Sequence, residues 1–268
     1  MPIDGSIGAA DGDSGRAATE IALETVSSGL TAPNWGTDVP GCPGLNDSMM
    51  VTDQNGILWS VDLTTGDRSV LLDVSDRIVS LGVAGSGTFD ERGLLGVEIH
   101  PEFVDNGHLY TYTSEPVSVA ADFSTMPKGE EPNHQSLLIE WQVPEPCNPA
   151  SVVDPASARE VVRIEQPQFN HDAGNLVFGP DDQLYVSLGD GGAADDQGIG
   201  HVPGGNGQDP GNILGTLLRI DSDGSDSVNG QYGIPEDNPF VGDADGLDEV
   251  FGYGFRNPFR FSLHPETD

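Results

Sequence analysis

A chain of 268 residues with 44 Asp and Glu against 10 Lys and Arg has a formal net charge of −34. Such a chain lacks the clustered cations that bind nucleic acids or anionic membranes. No run approaches the roughly 18 apolar residues of a membrane span. The acidic residues are spread along the chain, which indicates a solvated surface of the kind that halophilic proteins carry.

The amino-terminal 20 residues are rich in Gly, Ala and Asp and are predicted to be a disordered lead-in. They contain neither a basic n-region nor an apolar h-region, so no signal peptide is visible. The two cysteines, Cys42 and Cys147, could form one disulfide, but two distant cysteines do not establish a framework. The sequence alone leaves open whether the two cysteines are bonded.

From residue 55 onward, short segments alternate apolar and polar residues between turn residues, which predicts β-strands rather than helices. The predicted strand segments are Asn55–Val74, Asn106–Glu115, Gln135–Val143, Arg159–Gln166, Phe169–Gly192, Gly215–Gly224 and Asp248–Asp268. The pieces NGILWSVD, NGHLYTYT and DQLYVSLGD share a turn residue, an apolar position, an aromatic and a β-branched residue. This loose repeat favours a β-propeller with long inserts at Ser114–Asn133 and Gly191–Asn212.

The segment FNHDAGNLVFGPDDQLYVSLGDGG predicts a hairpin with its turn at Gly-Pro-Asp-Asp. If Phe178 faces Gln183 and no bulge intervenes, His171 faces Asp190, and opposed Cα atoms lie roughly 4.5–5.5 Å apart. A carboxylate there would hold one imidazole nitrogen and leave the other as a general base. On the hairpin alone, the simpler interpretation is an incidental loop histidine and a turn-forming aspartate.

Four motifs occur in the order FDERGLLGVEIHPEF, HDAGNLVFGPD, YGIPEDNPFVG and GYGFRNPFRFS. In this order they resemble the soluble quinoprotein glucose/sorbosone dehydrogenase family. The resemblance implies an all-β fold, a six-bladed β-propeller of the soluble quinoprotein glucose dehydrogenase type. It also implies the cofactors pyrroloquinoline quinone (PQQ) and calcium, and it runs from about residue 21 to the end of the chain.

The resemblance assigns catalytic and cofactor roles to four residues. His171 matches the proton-abstracting base, and Asp190 matches the aspartate that orients it. Arg256 and Asn257 in FRNP match the arginine and asparagine that contact the quinone, and Arg256 would also stabilise charge on the quinone oxygen.

Three further residues are predicted at the substrate. Asn170 stands where the glucose-oxidising branch has an aspartate near the sugar. Glu91 and Arg92 stand where that branch has glutamine and asparagine. The ERGLLG form resembles the broader branch of the family, which puts glucose itself in doubt as the substrate.

The resemblance stops in what reads as the middle of a blade. We therefore expect residues 21–268 to form a partial propeller domain with only about the first four blades, and expect a fragment of a longer protein. The calcium ligands that the family implies would lie beyond residue 268. The acidic stretches Asp221–Ser227 and Asp243–Glu249 lack EF-hand spacing, and the remaining histidines lack zinc-ligand spacing.

The predicted function is a PQQ-dependent dehydrogenase that oxidises an aldose or related sugar at its C1 hydroxyl. A small-molecule sugar and an external electron acceptor would be its partners, and family resemblance implies a periplasmic or extracellular location. Two alternatives stand beside it: a non-catalytic binding module of the same fold, and a lactonase-like hydrolase with a metal in the central channel.

Overall fold

The computed structural model describes residues 21–264, which form three four-stranded antiparallel sheets with almost no helix. Sheet A contains β1 (Pro33–Asp38), β2 (Ser48–Asp53), β3 (Ile57–Asp62) and β4 (Arg68–Asp73). Sheet B contains β5 (Leu94–Ile99), β6 (His108–Glu115), β7 (His134–Gln142) and β8 (Arg159–Gln166). Sheet C contains β9 (Leu176–Phe178), β10 (Leu184–Ser187), β11 (Thr216–Ile220) and β12 (Val250–Tyr253). One helical turn, α1 (Phe103–Asn106), and 3-10 turns at Pro43–Leu45, Pro155–Ser157 and Asn206–Gln208 complete the elements.

Within each sheet the strands pair in sequence order, so that every sheet is a simple meander. Successive four-stranded meanders are the blades of a β-propeller. Strand β5 begins sheet B and lies against β1 and β2 of sheet A and against β9 of sheet C. Sheet B is therefore the middle blade, with a packed neighbour on each side.

Two apolar cores fill the spaces on either side of sheet B. The core toward sheet A includes Leu58, Val97 and Trp141, and all three side chains are fully buried. The core toward sheet C includes Tyr112 and Leu176, also fully buried. Each such side chain contributes roughly 1.5–3 kcal/mol by leaving water, so the two interfaces hold the three blades together.

Cys42 and Cys147 form a disulfide that spans 105 residues, with Cα atoms 5.0 Å apart. The bond joins the segment before β2 to the connection between β7 and β8. It therefore ties sheet A to the outer part of sheet B, and it resolves the pairing that the sequence left open.

The predicted strand segments are confirmed from residue 55 to residue 253. Within the two predicted inserts, only Ser114 and Glu115, at the end of β6, belong to a strand. Three complete sheets occupy the described residues against an expectation of about four blades, because residues 254–264 form no strand. The predicted lead-in at residues 1–20 lies outside the described residues, as do the last four residues of Asp248–Asp268.

Candidate active site

The hairpin of β9 and β10 pairs one residue out of the predicted register. Phe178 faces Leu184 and Leu176 faces Val186, so the predicted opposition of Phe178 and Gln183 is wrong. The reason lies in the turn, which takes five residues from Gly179 to Gln183 and closes with a Gly179 N–H to Gln183 carbonyl bond of 2.9 Å. One extra turn residue shifts the whole pairing by one position.

His171 nevertheless reaches Asp190, because regular pairing ends before either residue. The last backbone contact of the hairpin is the bond of 3.0 Å from the Gly174 N–H to the Ser187 carbonyl, one residue beyond Asn175. Upstream of it, His171 and Ala173 have left-handed backbones with φ of 63° and 48°. A residue other than glycine rarely adopts this conformation, and it turns the chain out of the strand. The close approach also needs Gly189, where a Cβ would lie 1.7 Å from the carbonyl oxygen of His171.

The imidazole of His171 is held by a single short hydrogen bond. Its Nδ1 lies 2.6 Å from Oδ1 of Asp190, and the two side chains are only 5% and 8% exposed. Because an ionised carboxylate can only accept, Nδ1 carries the proton and neutral His171 has an unprotonated Nε2. Within the described part of the chain Nε2 has no recorded partner. The imidazole is therefore arranged as a base.

Asp190 is itself fixed by three further hydrogen bonds. Its Oδ1 accepts from the Gly192 N–H at 3.0 Å, and its own N–H donates to the Arg256 carbonyl at 2.8 Å. Its carbonyl accepts from Nδ2 of Asn206 at 2.8 Å. The carboxylate is thus held in place by the long insert after β10 and by the chain after β12.

Glu91 holds the main chain of the same histidine. Its Oε2 accepts from the His171 N–H at 2.6 Å and from Nδ2 of Asn257 at 3.2 Å. The amide oxygen of Asn257 in turn accepts from the Ala173 N–H at 3.2 Å. Glu91 and Asn257 therefore clamp the loop that carries His171, a positioning contact that the sequence did not predict for either residue.

Arg92 is bound to protein groups on all sides of its guanidinium. It forms an ion pair with Asp90 at 2.7 Å and donates to Oδ1 of Asn133 at 3.2 Å. Burial raises the pKa of Asp90, but hydrogen bonds from Arg92 and from the Gly82 N–H outweigh burial and leave that pKa below its ordinary value. The Arg92 side chain is only 12% exposed, and through these contacts it stabilises the segment before β5.

Asn170 and Arg256 are both next to the His171–Asp190 pair, since Asn170 directly precedes His171 and the Arg256 carbonyl accepts from the Asp190 N–H. Oδ1 of Asn170 accepts from the Ala193 N–H at 3.4 Å. Arg256 is exposed, and its guanidinium has no recorded hydrogen bond or ion pair among residues 21–264. In a chain with ten cationic side chains, an uncommitted arginine beside a buried His–Asp pair is available for an anionic ligand.

Two clefts flank the loop of His171. One, of about 290 Å³, is lined by Asp190, Ala193, Asp195, Asp196, Gly207, Gln208, Gly254, Phe255 and Arg256. The other, of about 310 Å³, is lined by Asn34, Gln54, Glu91, Leu95, Ala173, Asn257, Phe259 and Arg260. The seven residues predicted from the sequence thus gather around one loop, although Arg92 is turned to protein partners. No group of three or more His, Cys, Asp or Glu suited to a metal ion occurs in residues 21–264.

The sequence did not predict a second buried histidine–aspartate pair, His134 and Asp172, next to His171. Nε2 of His134 lies 3.1 Å from Oδ1 of Asp172, and both side chains are completely buried. In the sequence His134 belongs to none of the four motifs, and Asp172 stands directly after His171. The one available signal was the position of Asp172 between a proposed base and a glycine-rich turn.

A rim of loops that carries a buried His–Asp pair over successive four-stranded blades defines a β-propeller protein with a candidate catalytic base. Residues 41–268 match the family model for glucose/sorbosone dehydrogenases, and the chain belongs to this family.

Several curated proteins are similar to this chain. It is 28% identical to HIPL1 protein of Arabidopsis thaliana, over 91% of this chain and 38% of that protein. It is 32% identical to human Hedgehog-interacting protein, over 70% of this chain and 25% of that protein. It is 25% identical to quinoprotein glucose dehydrogenase B of Acinetobacter calcoaceticus, over 90% and 46%. The chain thus spans between a quarter and a half of the length of these relatives.

Solved structures share the fold. The PQQ-bound aldose sugar dehydrogenase of Streptomyces coelicolor superimposes with a TM-score of 0.58 at 22% identity, covering 88% of this chain and 54% of that one. The soluble aldose sugar dehydrogenase of Escherichia coli in its apo-form gives 0.59 at 21% identity, covering 87% and 54%. These likenesses confirm the all-β propeller architecture. No helix in residues 21–264 has the length and apolar character needed to cross a bilayer.

Proposed function

We propose that the protein is a quinoprotein oxidoreductase that oxidises an aldose or related sugar at its C1 hydroxyl. The observation that carries this proposal is the His171–Asp190 pair, whose Nδ1–Oδ1 distance is 2.6 Å, next to the uncommitted guanidinium of Arg256. Membership of the glucose/sorbosone dehydrogenase family supports the same reaction class. A pure binding protein would have no need of an oriented imidazole at this rim.

His171 is the proposed base. Oxidation of a C1 hydroxyl to a lactone releases one hydride and one proton, and the unprotonated Nε2 accepts the hydroxyl proton. Asp190 keeps Nδ1 protonated and stabilises the imidazolium that forms, as the aspartate does in Ser-His-Asp triads. Glu91 and Asn257 hold the backbone of the histidine loop through bonds of 2.6 and 3.2 Å, which keeps the imidazole from rotating away.

One cationic side chain at this site, that of Arg256, can contact an anionic quinone. Arg256 is the one cation among the residues that line the cleft of about 290 Å³, beside the carboxylates of Asp190, Asp195 and Asp196, and its guanidinium is free to pair with a carboxylate or quinone oxygen of the ligand. Asn257 lies next to it, but its amide is engaged by Glu91 and Ala173, so Arg256 is the main contact that this chain offers. When bound, PQQ supplies the hydride-accepting centre. The proposal that calcium is a second cofactor rests on the family resemblance alone.

The proposed substrate contacts rest on where Glu91, Arg92 and Asn170 lie relative to the two clefts. Glu91 lines the cleft of about 310 Å³, and Asn170 accepts from the N–H of Ala193, which lines the cleft of about 290 Å³. Arg92 is proposed to act on the sugar through the segment that it braces. A sugar and an external electron acceptor are the proposed partners. The disulfide supports a periplasmic or extracellular location, because such bonds persist in oxidising compartments.

Reconstitution tests the proposal. The protein with its natural termini would be incubated with PQQ and calcium, quinone binding measured by absorbance, and dye reduction followed with a panel of aldoses. Dye reduction by at least one aldose, dependent on added quinone, is expected. Confirmed quinone binding without reduction by any sugar would reject the dehydrogenase.

The rival is a binding module of the same fold. It is favoured by one comparison, the 32% identity over 70% of this chain to a protein named for interacting with Hedgehog. A binding module would keep its partner when the imidazole is removed. Activity lost in His171→Ala together with unchanged thermal stability would favour the enzyme. If neither wild type nor His171→Ala reduces the dye, the binding module is favoured. Hydrolysis of a lactone by wild type would instead identify the lactonase-like hydrolase.

A further inference from the structure

The face of sheet B that packs against sheet C becomes polar at the end nearest His171. Register places Ser114 opposite Ser136 and His134 opposite Gln166, and Tyr112 follows on the same face two residues from Ser114. With Asp172 these residues form what we name the Asp172 cluster. Its members are Tyr112, Ser114, His134, Ser136, Gln166 and Asp172.

All six side chains are buried, with relative exposures of 0 or 1%. Eight of their polar atoms have no hydrogen-bond partner among the described residues. These atoms are Oη of Tyr112, Oγ of Ser114 and Ser136, Nε2 of His134, both amide atoms of Gln166 and both carboxylate oxygens of Asp172. Native proteins leave very few buried polar groups unpaired, and a cluster of them indicates ordered water or an ion.

The members lie close enough to share one occupant. Nε2 of His134 is 3.1 Å from Oδ1 of Asp172, although the angle does not make a hydrogen bond. Burial raises the pKa of Tyr112, Ser136 and Gln166 oppose the rise, and the Asp172 carboxylate adds to it. The loop after Asp172 rests on the same ring, since a Cβ at Gly174 would lie 2.5 Å from Cδ1 of Tyr112.

The donors and acceptors favour water over a metal ion. Oδ1 of Asn133 accepts from Arg92 at 3.2 Å and lies 3.2 Å from Nδ1 of His134, so Nδ1 is the donor in that contact, and in the neutral form of the imidazole Nε2 is an acceptor. Nε2 then faces an Asp172 oxygen, which is a second acceptor. One water molecule donates two hydrogens and satisfies both. A single carboxylate is few anionic ligands for Ca²⁺, which takes six to eight oxygens.

We propose that the Asp172 cluster encloses ordered water molecules, and that through this buried site Asp172 is a positioning residue for the neighbouring His171. The positioning role rests on His171 as the proposed base. Asp172 precedes Ala173 and Gly174 in the left-handed turn, so anchoring its carboxylate against β6, β7 and β8 fixes the backbone from which the imidazole extends. None of the three tests below uses quinone or sugar, so a failed dehydrogenase assay leaves all three intact.

A pair of tyrosine substitutions tests the water. Tyr110 lies two residues from Tyr112 on β6 and is equally buried, but its hydroxyl donates to Glu140 at 2.7 Å. If water satisfies the Tyr112 hydroxyl, Tyr112→Phe should lower the melting temperature by about 2–4 °C, as loss of one hydrogen bond does in a domain of this size. Tyr110→Phe, the matched control, should lower it similarly. An unchanged or raised melting temperature in Tyr112→Phe would mean a dry cluster and overturn the proposal.

A crystal structure that resolves ordered solvent tests the occupant directly. Peaks with two to four polar neighbours at hydrogen-bond distance are expected among the six side chains. A dry cluster in which His134 donates directly to Asp172 would overturn the proposal. So would a metal ion with ligands near 2.3 Å, the range for calcium.

The ¹H NMR resonance of the proton on Nδ1 of His171 tests the positioning role. A short imidazole–carboxylate hydrogen bond gives a strongly downfield ¹H resonance, and it should disappear or move in Asp172→Ala. Asp172→Asn retains a polar anchor with the same shape and should restore it. A resonance that stays unchanged in Asp172→Ala would show that the loop holds His171 without Asp172.

Discussion

Nδ1 of His171 lies 2.6 Å from Oδ1 of Asp190, and the two residues stand just beyond the paired ends of β9 and β10. Neither belongs to a strand. Their contact depends on a left-handed turn at His171 and on the missing side chain of Gly189. The catalytic proposal therefore depends on loop geometry as much as on residue identity.

Asp190→Asn should lower kcat by about 10²–10⁴-fold with little change in fold, because an amide can favour the wrong imidazole tautomer. Steady-state dye reduction and circular dichroism would measure the two effects. Asp223→Asn is the matched control, since Asp223 also contacts a histidine, His100, at 3.2 Å but lies away from the clefts. Equal activity in Asp190→Asn and wild type would remove Asp190 from its orienting role.

Gly189→Ala should destabilise the protein by at least about 1–3 kcal/mol, because its Cβ would overlap the His171 carbonyl oxygen. Gly252→Ala is the control, since a Cβ there would lie 3.6 Å from the Phe255 ring, an ordinary contact distance. Urea unfolding would measure both free energies. If the two alanine variants unfold at the same urea concentration, the close approach of the loops is absent.

Glu98→Gln should remove a pH dependence of stability. Burial, and then the Asp38 carboxylate, raise the pKa of Glu98 from 4.5 to about 7 in the folded state. The folded protein then holds a proton that the unfolded chain has lost, so stability falls as pH rises from about 4.5 to 7. The loss amounts to about 3 kcal/mol at most.

Relative to wild type, Glu98→Gln should therefore be more stable at pH 8 and nearly equal at pH 4. Urea unfolding across this pH range measures the difference. Glu131→Gln, at an exposed carboxylate, is the control and should follow the wild-type profile. A Glu98→Gln profile parallel to wild type would contradict the raised pKa.

Replacing both Cys42 and Cys147 by alanine should lower the free energy of unfolding by about 2–5 kcal/mol, because the bond closes a loop of 105 residues in the unfolded chain. Urea unfolding of the double variant against oxidised wild type measures the loss. Wild type treated with a thiol reductant should move in the same direction. Unchanged stability in both would show that the bond does not form in solution.

Much of the fold could be predicted from local pattern. Two-residue periodicity between glycine-rich turns gives β8 at Arg159–Gln166 with both ends as predicted, and β6 with a difference of two residues at its start. The hairpin at residues 169–192 shows the limit, because the length of a turn sets the register of everything beyond it. The turn took five residues, so the predicted opposition was wrong, yet the expected His171–Asp190 contact is present for another reason.

The site could be predicted only where a motif named its residues. Nothing in the sequence indicates that Glu91 reaches across 80 positions to the His171 N–H, because that bond depends on how β5 meets the β8–β9 connection. The Asp172–His134 contact depends likewise on the packing of a loop against sheet B. The expected high-salt origin rests on a net charge of −34 and stays a prediction.

Single-turnover reduction of bound PQQ by an aldose, in wild type and His171→Ala, tests the account most directly. Quinone affinity should be unchanged, since Arg256 is retained, while the rate of quinone reduction should fall by about 10²–10⁴-fold and recover in part with added imidazole. His171→Ala that reduces its quinone at the wild-type rate would contradict the assignment of His171 as the base.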